Sequence, residues 1–136
     1  MTKDETLRVL AILKAAYPSS YNGMTKREAA GTVAVWSVQF ADVPVDIVLM
    51  AVQKLISTNK FPPAISEVKN KIGSLHWEAH DMLSTFPSRE LLTDKQKMQY
   101  QRIYDITRDF KFVKMAEPSL HQMIEGGLLQ IESGGE

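Results

Sequence analysis

The 136-residue chain is long enough for one modest core with an appended helical segment and too short for two large domains. A composition of 44% hydrophobic and 24% charged residues fits a folded globular protein, and the lack of cysteine excludes disulfide frameworks, thiolate metal sites and cysteine nucleophiles, which suits the cytosol. Basic and acidic side chains balance at 16 each, so no overall field draws the chain to nucleic-acid phosphates.

Charge is nevertheless unevenly spread. Residues 1–92 hold 10 basic and 9 acidic side chains, 93–115 hold 6 and 3, and 116–136 hold none and 4. This drift from neutral through mildly basic to acidic suits protein contacts better than nucleic acid. The start, Met1-Thr2-Lys3-Asp4-Glu5, is charged and lacks the apolar run of a signal peptide, and no segment approaches the roughly 20 apolar residues of a membrane span.

In chain order, Leu7, Leu10, Leu13 or Lys14, and Tyr17 predict an amphipathic helix over 2–17, stopped by Pro18-Ser19-Ser20-Tyr21-Asn22-Gly23. Thr25 and Glu28 form a capping-box pattern that opens a second helix with Ala29, Val33, Trp36 and Phe40 on one face. Pro44 suits the first turn of a third helix through Val45, Val48, Leu49, Val52 and Ile56. Asn59 serves as a C-cap, and Lys60-Phe61-Pro62-Pro63 must be extended, because each proline pushes its predecessor out of the α region. Ser66 then caps a fourth helix, with Ile65 as its hydrophobic staple and Val68, Ile72, Leu75 and Ala79 inward.

Gly73-Ser74 is a weak point in that helix, and 83–92 reads as a linker with little regular structure. Thr93 with Gln96 is another capping box, opening a helix with Ile103, Ile106, Phe110 and Val113 in a stripe and Tyr100 and Tyr104 beside it. Pro118 starts a last short helix through Ile124, followed by glycine-rich, acidic residues. The expected fold is all-α: a small four-helix N-terminal bundle over 1–73, a helix end and linker over 74–92, an additional C-terminal helical segment over 93–125 and a flexible acidic tail over 126–136.

Candidate chemistry is sparse. His76 and His80 stand four apart, a spacing that can offer two imidazoles to one metal, yet Glu78 falls on the opposite side and no third ligand is readable. The pair reads as ordinary packed or solvated histidines. His121 has no partners for nucleophilic catalysis, Asp105 and Asp109 sit among Arg102, Arg108 and Lys111 as surface pairs, and Gly126-Gly127 lacks a phosphate-loop context. The residues therefore suggest neither an enzyme nor a cofactor. A helix-turn-helix reading of helices two and three would make Pro44, Val45, Asp46, Ile47, Val48 and Leu49 the base-reading residues, a set that cannot read base edges. Trp36, Phe40 and Phe61 read as packing residues. Aromatic and Met side chains after residue 76 exceed what short helices bury alone, which makes Tyr100, Arg102, Tyr104, Arg108 and Phe112 the candidate partner-binding residues.

The run Leu55-Ile56-Ser57-Thr58-Asn59-Lys60-Phe61-Pro62-Pro63-Ala64-Ile65-Ser66-Glu67-Val68 resembles the core signature of the phage replicative helicase loader/inhibitor family. A first helix running into Ala16-Tyr17-Pro18 and a second containing Trp36 agree with that family's order, and the resemblance covers residues 3–73. It implies a compact helical bundle followed by a more mobile part that engages a DnaB-type helicase hexamer in the bacterial cytoplasm, restrains it and passes it to a replisome organiser protein. Two other readings stay open: a phage host-takeover or morphogenesis adaptor, and a DNA-binding replication accessory.

Overall fold

A computed structural model describes residues 1–117. The helix expected from Pro118 to Ile124 and the acidic tail of 126–136 lie outside the described residues. Those described form α-helices and one 3₁₀ segment, with no strand, so the fold is all-α. They divide into two compact units, the first ending at Lys71 and the second starting at Ile72, so the division falls inside a helix.

The first unit contains α1 (Lys3–Ala16), the single turn α2 (Pro18–Tyr21), α3 (Lys26–Gln39), α4 (Val45–Ile56) and the start of α5 (Ile65–Ser84). Two of these helices begin with complete capping boxes. Thr25 Oγ1 accepts from the Glu28 N–H while Glu28 Oε1 accepts from the Thr25 N–H, each at 3.1 Å. Thr2 and Glu5 do the same for α1, a start that the sequence reading passed over. Each box satisfies amide donors that no helical carbonyl can reach. Pro18 sits in the first turn of α2, where a missing N–H is harmless, and Gly23 supplies the positive φ (81°) that ends the turn.

Helix α1 packs on α3 and α4 around Val9, Leu13, Trp36, Phe40, Ile47, Val48 and Val52. The Trp36 and Phe40 rings lie 5.5 Å apart. The Met1 amine donates to Phe40 O (2.7 Å), Val43 O (3.1 Å) and Ala41 O (3.2 Å), a positive charge set on carbonyls just past the end of α3. Two predicted stripes need correction. The buried line of α1 is Thr6, Val9 and Leu13, whereas Leu7 is 47% exposed and borders a groove with Met24, Ala29 and Val33. In α4, Ile47, Ala51 and Leu55 join Val48 and Val52 inside, so the apolar face is wider than the spacing of Val45, Leu49 and Ile56 suggested.

The start of α5 also differs from expectation. It begins at Ile65 rather than after Ser66, and Glu67 accepts from the Ala64 N–H at 3.0 Å, the carboxylate half of a capping box. Val68, Ile72, Leu75 and Ala79 are all buried, as their spacing predicts.

The second unit comprises the rest of α5, α6 (Phe86–Leu91), α7 (Asp94–Thr107) and the 3₁₀ segment Lys111–Ala116. The expected weak point at Gly73 lies within unbroken helix. A Cβ there would meet Ala116 Cβ and Phe112 O at 2.8 Å, so glycine is needed for close approach rather than for bending. The expected irregular stretch contains α6, which accommodates Pro87 in its first turn. The Thr93–Gln96 capping box is present (3.1 and 2.9 Å), but α7 ends at Thr107 instead of continuing toward Met115.

Candidate partner-binding surfaces

No described helix is long and apolar enough to cross a membrane, and no three His, Cys, Asp or Glu side chains among the described residues gather as a metal set. Ile47 and Val48, which a helix-turn-helix would turn toward bases, lie in the interior of the first unit.

In the second unit, the inner side of α7 carries Tyr100, Ile103, Tyr104 and Thr107, at spacings of three, one and three. Ile103 and Thr107 are buried and the tyrosines half-buried, one residue off the predicted Ile103–Ile106 stripe. The cause is Thr107. Its hydroxyl donates to Ile103 O at 2.7 Å and thereby commits its one hydrogen. The contact with His76 Nδ1 at 3.0 Å must then be Nδ1–H donating to Thr107 Oγ1. The His76 ring also stacks on Tyr104, 4.9 Å between centroids, and meets the Trp77 ring edge-on at 5.3 Å. Burial, then the nearby His80 ring, lowers the His76 pKa, so a neutral imidazole is the form that fits. Trp77 Nε1–H donates to Val113 O at 3.1 Å and ties α5 to the 3₁₀ segment. The histidine pair is thus committed to packing and hydrogen bonding.

The five candidate partner-binding residues therefore separate. Arg102 and Arg108 are exposed, Tyr100 and Tyr104 are half inside, and Phe112 is only 6% exposed, its ring 5.3 Å from that of Phe110. Arg108 lies 3.9 Å from Asp109 across open surface, a pairing of little energetic weight. Arg102 lines an open basin of about 560 Å³ with Leu83, Arg89, Lys97, Met98 and Ile106. Basic heads and apolar side chains alternate around it, and Met98 is 75% exposed. Leu83, Arg89 and Met98 were not among the sequence-derived candidates, since only folding brings α5, α6 and α7 together there.

The first unit carries its own exposed feature, the loop between α4 and α5. Pro63 is buried there, while Phe61 is 70% exposed with Lys60 Nζ 5.8 Å from its ring centroid. The core role expected of Phe61 does not hold. Helical spacing loses its meaning once α4 ends at Ile56, and Pro63 occupies the inward place.

Comparison with known proteins gives no match to a curated protein and none to a solved structure. Residues 1–69 match the family model for the N-terminal domain of the phage gene 39 protein, spanning α1 to α4, the Phe61 loop and the first turn of α5. That match takes in just over half of the chain, and the protein belongs to the family of the gene 39 protein N-terminal domain, a phage helicase-associated family.

Proposed function

We propose that the chain is a phage or prophage replication accessory protein that binds a DnaB-type helicase hexamer and loads or inhibits it by occupancy, without catalysis and without a cofactor. The observation supporting this reading is the family membership of residues 1–69, which contain the Asn59–Pro63 segment that resembles helicase loader/inhibitor proteins. A binding role also agrees with the basin around Arg102, whose mix of guanidinium, ammonium and thioether groups suits an adaptable protein contact. Within this reading Arg102 and Arg108 touch the partner, and Tyr100, Tyr104 and Phe112 hold α7 and the 3₁₀ segment in place.

The test is the ATPase rate of a purified hexameric replicative helicase with and without the full chain. A lowered rate, and binding weakened about tenfold or more by Arg102→Ala with Arg108→Ala, is the expected result. An unchanged rate together with no helicase enriched by pull-down from a bacterial lysate would defeat the reading. Release of the helicase onto single-stranded DNA by a replisome organiser marks a loader, and continued suppression marks an inhibitor.

A further inference from the structure

The loop joining α4 to α5 is fastened on both sides of an aromatic side chain that it leaves in water. At its start the Asn59 N–H donates to Leu55 O at 2.7 Å, and the Tyr17 hydroxyl, from the end of α1, donates to Asn59 O at 2.8 Å. Glu67 closes the base of the loop. One carboxylate oxygen accepts from the Ala64 N–H at 3.0 Å and the other from Asn59 Nδ2 at 3.1 Å. Between these ties Pro62 and Pro63 have φ fixed by their rings, and Pro63 is buried.

Single exposed apolar side chains are common on protein surfaces and mean little alone. Phe61 differs because its backbone is already ordered. Binding through it would freeze little more than two side-chain torsions, while its ring would bring a large apolar area into a pocket. Aromatic anchors on ordered backbone are typical of binding hot spots. Lys60 specifies the partner further, since its ammonium lies beside the ring and calls for a carboxylate at the rim of whatever receives Phe61.

We propose that Phe61 is a docking anchor of the first unit and inserts into an apolar pocket with an acidic rim on the helicase. The proposal rests on the helicase reading and adds a contact separate from the Arg102 basin.

The full chain, Phe61→Ala and Phe61→Leu are compared for affinity to a purified hexameric replicative helicase and for thermal melting. The expected result is binding weakened about tenfold or more by Phe61→Ala, largely kept by Phe61→Leu, with both melting within about 3 °C of the original. Equal binding by all three proteins overturns the anchor while leaving the helicase reading intact. A melt lowered well beyond that range in Phe61→Ala also overturns it, because the ring would then be part of the fold. If the unaltered chain does not bind the helicase at all, the helicase reading fails and takes this contact with it.

Discussion

In residues 1–71 the interior is mostly hydrocarbon. Phe40, Leu13, Ile47, Val9, Val48 and Val52 are fully enclosed, and the buried Thr6 hydroxyl donates to Thr2 O (2.9 Å) and accepts from half-buried Ser37 (3.0 Å). From residue 72 onward buried apolar groups share the interior with His76 and Thr107, and half-buried Trp77 and Tyr104 add directional contacts. The first arrangement depends chiefly on volume filled and water excluded. The second also depends on particular protons being on particular atoms. Two regions of one short chain should therefore fail for different reasons.

The largest expected effect lies in the first unit. Phe40→Ala removes a fully buried ring that also touches Trp36, and should cost about 3–5 kcal/mol in denaturant unfolding. A loss below about 1 kcal/mol would show that this core collapses around the gap and would weaken the contrast.

Thr107→Val comes next. It preserves shape but leaves the His76 Nδ1–H without its acceptor, for an expected cost of about 1–3 kcal/mol. Thr6→Val is the matched change in the first unit. It should cost less, since half-buried Ser37 can turn its hydroxyl toward water. Equal losses from the two substitutions would erase the distinction between the interiors.

The smallest effect is a separation in pH. His76 has its pKa lowered in the fold from an ordinary 6.5, mainly by burial and then by His80, while Tyr104 and Trp77 face it without charge. Its contribution is complete above 6.5. It declines as acid protonates the unfolded chain first, until the pH passes the lower folded value. Glu5 and Glu28 have pKa values lowered from 4.5, chiefly by the backbone N–H of Thr2 and Thr25. Their contribution is complete above 4.5 and is lost as the pH falls through the lower folded values. The third box uses Gln96, which does not titrate. Thermal melts followed by Trp77 and Trp36 fluorescence from about pH 7.5 to about pH 3, with Trp36→Phe and Trp77→Phe separating the signals, should show the second unit weakening first.

Local signals were legible in the sequence. Thr25 with Glu28 and Thr93 with Gln96 announce helix starts because each pattern acts within four residues, and Val68, Ile72, Leu75 and Ala79 mark a buried face because helical geometry puts them on one side. What stayed hidden depends on distant neighbours. Thr107 displaces Ile106 from the interior of α7 because His76, 31 residues earlier, meets it there. Tyr17 fastens Asn59 across 42 residues, which no spacing rule anticipates. Of the five candidate binding residues, composition alone could not separate the exposed Arg102 and Arg108 from the enclosed Phe112, because aromatic content does not say which rings the fold consumes.

Gly73 sets local and global preference against each other. In an isolated helix, replacing a central glycine with alanine is favourable by about 1 kcal/mol, so a peptide of α5 carrying Gly73→Ala would be more helical. In the folded protein the added methyl meets Phe112 O, a backbone atom that cannot rotate aside, as well as Ala116 Cβ. A substitution chosen to strengthen the helix would thus loosen the second unit, and at this position a consensus of helix formers is a misleading guide to stabilisation.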